Sequence, residues 1–511
     1  MTRTLIVWGT SSGAGKSWLA TALCRVAARR GIDVAPFKAQ NMSNNARVVI
    51  GLDGDLGEIG SAQYFQALAA RATPHTDMNP VLLKPQADTA SQVVLNGHAD
   101  AHLSRLPWRE RSALLAVPAR AAFERLAAKH ELIVVEGAGS PAEINLAPQD
   151  YVNLGVARWA QRAGPTAALL VTDIDRGGAF AHVHGTWALL PDDLRGLLAG
   201  YVLNRFRGDA ALLAPGPQML QGLTGLPLAG VIPLVRDHGL PEEDGLFDDS
   251  TSGASGASAA SAATGAKVQL RVAVIAPPHI SNLDEFLPLA RVPGLRLNWA
   301  RSAAQCEAAD WIVLPGSKQV GGDLAWLRAQ GLDAVVQRHA AAGRPVLGVC
   351  GGLQMLGAVL DDPQGHDGMP MNRLPGLGLL PLHTHFQPHK RLRAAPVRFA
   401  GAHGPWAALD GVQAPAYEIR CGHTEAAPGH AVLFDGQGAA IGWQQGSVLG
   451  VYAHGLFEAS AVLQALFGAL FGEPVPTLDD AFEGLADLAE KHLDATLLAR
   501  LLGRLPGQSR A

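Results

Sequence analysis

Short, uninterrupted apolar runs punctuate this chain, without the strict alternation of polar residues that a half-exposed strand would show. In the first half they are Leu5-Ile6-Val7-Trp8, Leu132-Ile133-Val134-Val135, Ala167-Ala168-Leu169-Leu170-Val171 and Gly200-Tyr201-Val202-Leu203, separated by helical stretches such as Ser17 to Arg30. Leu270 to Ile275, Trp311 to Leu314, Val346 to Val349 and Val448 to Tyr452 repeat the pattern in the second half. A strand that is apolar on both sides needs cover on both faces, which predicts an α/β fold with parallel sheets flanked by helices. Between the halves, 248–266 is almost entirely serine, alanine, glycine and threonine after two aspartates. Such a stretch buries too little apolar surface to offset its ordering entropy, so it predicts a flexible linker. The expected domains are therefore 1–247 and 267–511, the second closing with helices drawn from the leucine and alanine spacing between Thr477 and Leu502.

Composition supports that division. A chain of 511 residues, 48% of them hydrophobic, exceeds what one core usually organises. Lysine and arginine number 41 against 45 aspartates and glutamates, a formal charge of -4, and no block of like charge invites nucleic acid or anionic lipid. Small-molecule chemistry is the class left. Met1 to Trp8 runs straight into a glycine-rich loop without a signal peptide's apolar region, and no apolar run approaches the roughly 20 residues that span a bilayer. A soluble cytoplasmic protein is expected. Cys24, Cys306, Cys350 and Cys421 are far apart and form no Cys-x-x-Cys pair, which argues against a disulfide framework or a zinc site.

Two motifs carry chemistry. Gly9-Thr10-Ser11-Ser12-Gly13-Ala14-Gly15-Lys16-Ser17 follows a buried strand and opens a helix, the order that aims backbone N–H groups at phosphate oxygens. Lys16 is placed against the β- and γ-phosphates of ATP and the Ser17 hydroxyl against Mg²⁺. Thr10 stands where the common spacing has its first glycine, with Gly9 one position earlier. Val134-Val135-Glu136-Gly137 ends a strand with an acid that can hold the metal opposite Ser17, or else merely cap the following turn. Asp53, Asp55 and Glu58 are further candidate ligands. Asp173-Ile174-Asp175-Arg176-Gly177-Gly178 ends another strand, where it approaches substrate or phosphates or simply turns.

The second motif is Gly348-Val349-Cys350-Gly351-Gly352, between a strand and an expected helix from Leu353 to Leu360. Its glycines permit the tight turn that exposes a nucleophile at a helix N-terminus, where the dipole favours thiolate. His454, just beyond an apolar strand, is the base such a thiol needs. Backbone N–H groups at Gly351 and in Pro315-Gly316-Ser317-Lys318 are candidates for an oxyanion hole. The other cysteines read as buried structural residues. His383, His385 and His389 have no accompanying acid or cysteine of zinc type in the local sequence and read as loop histidines.

The Gly-Thr opening of the first loop resembles the dethiobiotin-synthetase-like branch of P-loop proteins, which carboxylate or amidate through phosphorylated intermediates. In that resemblance Asn204, after a later strand, is a candidate reader of the nucleotide base. The cysteine elbow with His454 resembles class I glutamine amidotransferases. Their triad acid lies two residues beyond the histidine, where this chain has Leu456. The resemblance is then to a cobalamin-pathway subgroup described as using Cys and His alone, and the group that orients His454 stays open.

More specific stretches cover nearly the whole chain: Lys38-Ala39-Gln40-Asn41-Met42-Ser43-Asn44-Asn45, Met78-Asn79-Pro80-Val81-Leu82-Leu83-Lys84-Pro85, Asp323-Leu324-Ala325-Trp326 and Tyr417-Glu418-Ile419-Arg420. They resemble the cobyric acid synthase family. The resemblance implies ATP- and glutamine-dependent amidation of the b, d, e and g carboxylates of adenosylcobyrinic acid a,c-diamide, with ATP and Mg²⁺ required and the corrinoid as substrate. The lysine- and amide-rich loops are expected to meet the corrinoid's many arms. Cobyrinic acid a,c-diamide synthase, which amidates the a and c arms, is the nearest alternative. A nonenzymatic nucleotide switch with an inactive amidotransferase domain is the alternative of another class.

Overall fold

The computed structural model describes residues 2–87, 90–235, 240, 268–368, 370–470 and 477–503. The expected linker, 248–266, lies outside the described residues. The chain divides into two compact units, one formed by Met1–Phe247 with Leu478–Ala511 and the other by Asp248–Thr477.

The first unit is built on a six-stranded sheet: β1 (Arg3–Gly9), β2 (Val34–Phe37), β3 (Leu132–Glu136), β4 (Thr166–Asp173), β5 (Leu198–Phe206) and β6 (Leu228–Pro233). Their order is β6-β5-β4-β1-β3-β2, and every pairing is parallel. The continuous apolar runs have the expected cause. Ile6, Trp8, Ile133 and Leu170 enter a core on one face, whereas Leu5, Val7, Val134 and Val171 enter a separate core on the other. The helix α1 (Lys16–Arg29) packs in the second of these cores. Small strands, Gln40–Met42, Val81–Ala87, Ala90–Leu95 and His98–Asp100, form an accessory sheet from the amide-rich stretches.

The second unit has a mixed sheet. Its parallel half is β7 (Leu270–Ile275), β8 (Leu295–Ala300), β9 (Trp311–Leu314) and β10 (Val346–Val349). It continues through β11 (Val359–Asp362), β12 (Met371–Pro375), β13 (Leu382–Phe399), β14 (Gln413–Ala426), β15 (Ala431–Asp435), β16 (Ala440–Gln445) and β17 (Val448–Val451). The order is β8-β7-β9-β10-β17-β16-β15-β13-β11-β12, with β14 paired to β13. The apolar runs expected to lie in parallel, β7, β9, β10 and β17, do so, and the sheet adds antiparallel pairings that those runs did not reach: β17-β16, β16-β15, β15-β13, β13-β14 and β11-β12. Buried and less buried residues alternate at the start of β13, the mark of a strand covered on one face only.

Two expectations change. The helix after Cys350, α2 (Gly351–Leu356), stops at Gly357, and the chain re-enters the sheet as β11 instead of continuing to Leu360. The closing helices, α3 (Leu478–His492) and α4 (Ala495–Leu502), belong to the first unit and not to the second domain. Phe482, Leu485, Ala486 and Leu498 join the core that contains Leu19, Leu23 and Val26 of α1. Charge reinforces the seam: Arg25 pairs with Asp479 at 2.5 Å and Glu483 at 3.1 Å, and Arg29 with Asp487 at 2.7 Å.

Candidate functional site

Chemistry concentrates at two places, one in each unit. In the first, β1 delivers the chain into a loop whose Gly13 and Gly15 hold positive φ of 69° and 97°. Gly15 has a second reason to be glycine, since a Cβ there would lie 2.0 Å from Asn204 Nδ2. Thr10, the departure from common spacing, ties the loop to β4 by donating its N–H to Val171 O at 2.9 Å and its hydroxyl to Thr172 Oγ1 at 3.0 Å. Lys16 curls back over the loop, donating to Ser11 O at 2.9 Å and Gly139 O at 3.1 Å.

The predicted pair meets. Ser17 Oγ donates to Glu136 Oε1 at 2.7 Å. Glu136 is buried at the end of β3, and the Lys38 ammonium lies 2.8 Å from the same oxygen. Gln66 Nε2 donates to Glu136 Oε2 at 2.5 Å, with Gln63 Nε2 at 3.4 Å. Burial works to raise the Glu136 pKa, yet Lys38 and these donors outweigh it and hold the carboxyl below its usual range. Sequence reasoning assigned Lys38 to a substrate loop; its ammonium belongs to this carboxylate.

Other candidates are placed as follows. Asn204 Nδ2 donates to Ala14 O at 3.0 Å, so this amide braces the phosphate loop. Glu58 is buried against Lys84, and the exposed Asp55 meets His98 at 2.8 Å. Among the amide-rich stretches, Asn79 donates to Lys38 O and Val81 O and accepts from the Gly60 N–H, while Asn41 donates to Gln63 Oε1. These side chains tie the accessory sheet to Lys38, Gly60 and Gln63. Asp173 pairs with Arg205 at 3.2 Å and Arg176 at 3.4 Å, and the Arg176 guanidinium reaches the loop beside Gly13.

In the second unit Cys350 sits at the junction of β10 and α2 with φ 51° and ψ -104°, a strained setting for a side chain other than glycine. The glycines around it are needed for close approach. A Cβ on Gly352 would lie 1.9 Å from Leu314 O, and one on Gly351 2.6 Å from Ser317 N. That second contact brings the Gly351 turn against the segment expected to supply oxyanion donors. The Cys350 sulfur lies 3.4 Å from Ile419 O, so the Tyr417-Glu418-Ile419-Arg420 stretch of β14 lines the nucleophile.

His454 is fully buried and bridges β14 through paired backbone bonds with Tyr417, whose ring stacks on it at 5.2 Å. Its orienting group is Glu285. Glu285 Oε1 lies 2.8 Å from His454 Nδ1, and Oε2 accepts from the Gly455 N–H at 2.9 Å. Engagement of Nδ1 leaves Nε2 to serve the thiol. Burial alone would lower the imidazole's pKa, but the Glu285 carboxylate and the hydrogen-bonded Cys350 sulfur raise it to about 10. The pair is thereby held as imidazolium beside sulfur. Glu285 comes from the short helix Leu283–Arg291, 169 residues from His454, and was missed in the sequence. Its one signal was an acid embedded among Leu283, Phe286 and Leu287.

Cys24 and Cys306 are buried as expected of structural thiols, whereas Cys421, read the same way in the sequence, is only partly buried. Burial pushes Cys24 up beyond any working pH and Cys306 to about 11. Among the described residues, no helix is long and apolar enough to cross a membrane.

Comparison with known proteins covers both units. Residues 5–245 match the family model described as the CobQ/CobB/MinD/ParA nucleotide binding domain, and residues 271–462 the CobB/CobQ-like glutamine amidotransferase domain. A cobyric acid synthase from Leptothrix cholodnii is 58% identical over 513 residues, covering 98% of this chain and 97% of that protein. Another, from Methylibium petroleiphilum, is 59% identical over 505 residues with coverage of 98% and 97%. One from Variovorax paradoxus is 57% identical over 508 residues, covering 98% and 99%.

Proposed function

Because this chain belongs to the cobyric acid synthase family, we propose that it amidates the b, d, e and g carboxylates of adenosylcobyrinic acid a,c-diamide, using ATP and glutamine, to give adenosylcobyric acid in the cytoplasm. The observation that carries the reading is the coexistence of an intact phosphate loop with a buried Cys350, His454 and Glu285 constellation.

At the thiol site Cys350 Sγ attacks the side-chain carbonyl carbon of glutamine. The carbon–nitrogen bond breaks as His454 gives its proton to departing ammonia, leaving a glutamyl thioester. Water, deprotonated by His454, then releases glutamate. Glu285 is a positioning residue: it fixes the imidazole's orientation and stabilises its protonated state. The N–H groups of Gly351 and the 316–317 segment hold the tetrahedral oxyanion.

At the phosphate site a corrinoid carboxylate takes the γ-phosphoryl of ATP, and ammonia displaces phosphate from the resulting acyl phosphate. Lys16 and the loop N–H groups hold the phosphates, and Arg176 adds positive charge at the loop. The donors Ser17 Oγ and Glu136 Oε1 are hard oxygens that suit Mg²⁺, provided the ion shares Glu136 with the Lys38 ammonium. When bound, Mg²⁺ neutralises charge on the phosphoryl oxygens.

The test is mass spectrometry after incubating the protein with adenosylcobyrinic acid a,c-diamide, Mg-ATP and amide-labelled glutamine. Stepwise label on every one of the b, d, e and g arms is expected. Label appearing only when unamidated cobyrinic acid is supplied would overturn the assignment in favour of a- and c-arm amidation.

A further inference from the structure

The histidines read as loop residues in the sequence lie instead on β13, where His383 and His385, two apart, share one face. The neighbouring strand β11 runs parallel to β13, with Val359 opposite His383 and Asp361 opposite His385. Three ligand atoms, one from each of Asp361, His383 and His385, lie within 4.8 Å of one another. The missing zinc-type acid is therefore present, supplied by another strand.

This cluster is separate from the thiol chemistry. Thr384, between the histidines, points the other way: it hydrogen-bonds Thr424, which bonds Tyr452, and Tyr452 also accepts from Gln354 on α2. The histidines thus occupy the face of β13 opposite the network behind Cys350.

Three features are unexplained by packing alone. The imidazole centroids are only 4.1 Å apart with planes inclined at 39°. His383 Nε2 is buried without a hydrogen-bond partner, an arrangement that ordinarily costs stability. Asp361 Oδ1 accepts from the Arg373 N–H at 3.2 Å, which fixes the carboxylate with Oδ2 facing His385 Nδ1 at 3.6 Å. A tetrahedral zinc centre with bonds of about 2.0–2.1 Å has ligand-to-ligand edges of about 3.4 Å.

We propose that Asp361, His383 and His385 form a binding site for a divalent transition ion, Zn²⁺ fitting best, that clasps β11 to β13. Two imidazoles with one carboxylate favour such borderline ions over Mg²⁺ or Ca²⁺, which prefer oxygen. Exposed Glu425 and His423 lie opposite His383 and His385 in register on β14.

The experiment uses the full chain carrying Cys350→Ala, so that the catalytic thiol cannot itself hold metal. Metal-stripped protein is titrated with ZnCl₂ by calorimetry, and Co²⁺ is added separately to read its visible absorption. We expect one Zn²⁺ per chain and the intense bands of tetrahedral Co²⁺. Adding His385→Gln should abolish both, and Asp361→Asn should weaken Zn²⁺ at least about tenfold. Folding is checked by introducing His385→Gln alone, which should leave glutaminase activity intact. Zn²⁺ binding that is absent from the parent, or unchanged by His385→Gln, overturns the proposal.

Discussion

The two chemical centres share a plan and differ in one component. Each is organised around a buried glutamate, Glu136 in the first unit and Glu285 in the second, and each carboxylate faces a buried cationic partner. The Lys38 ammonium lies 2.8 Å from its carboxylate, whereas in the proposed mechanism His454 is an imidazole whose proton is the reagent. Phosphoryl transfer calls for a constant positive field, so a lysine serves. Acyl transfer calls for a proton that leaves and returns, so a histidine serves, with its pKa held up by the acid behind it.

The comparison is broken most severely by removing one centre at a time. Cys350→Ala should lower glutamine-dependent synthesis at least about a thousandfold and leave ammonia-supported synthesis in place, while Lys16→Ala should eliminate both. A Cys350→Ala protein that still hydrolyses glutamine would dismantle the nucleophile assignment. Next in size, Glu285→Gln should reduce glutaminase kcat by about 10²–10⁴ with little change in KM. It should also move the alkaline limb of the pH profile downward from about 10, because the lost carboxylate no longer holds the imidazolium. An unshifted limb would show that Glu285 does no more than pack.

Glu136→Gln sharpens the contrast: it should impair both ammonia- and glutamine-driven synthesis without shifting that limb. It should also destabilise the first unit by about 3–5 kcal/mol in denaturant titrations, since the buried Lys38 ammonium loses the carboxylate 2.8 Å away. A smaller effect is expected in wild-type stability against pH. His454 has a folded pKa raised above 6.5, so its pairing with Glu285 contributes fully below about 6.5. That contribution is lost progressively as pH rises through about 10. Comparing wild type with Glu285→Gln across this interval should isolate the loss, and two parallel curves would refute it. The smallest change is Tyr417→Phe, which keeps the stack on His454 but removes the Asn282 hydrogen bond of 3.0 Å. Urea unfolding should report a loss of about 0.5–1.5 kcal/mol.

The same contrast explains what the sequence disclosed. The phosphate loop is contiguous, and Glu136 announces itself as an acid ending an apolar strand, so both were legible. The Cys350 elbow and His454 were legible for the same reason, each following a buried run. Glu285 was not, because a triad acid expected two residues after the histidine arrives from 169 residues away, and only tertiary packing joins them. Lys38 was seen but misassigned, since its partner lies 98 residues on in β3. The parallel strands of the second sheet were legible as apolar runs, whereas the antiparallel strands were not, because β13 alternates with polar positions and gives no such run. His383 and His385 were dismissed on local spacing, although strand pairing brings Asp361 beside them.

The helices α3 and α4 make the second unit, in genetic terms, an insertion within the first. Arg3 on β1 donates to Leu502 O at 3.2 Å, joining segments 499 residues apart in the chain. Arg25, fully buried, meets its acidic partners only when α3 has emerged from the ribosome. A nascent chain therefore completes its amidotransferase unit before its nucleotide unit, and premature termination before Leu478 leaves a chain whose α1 seam stays open.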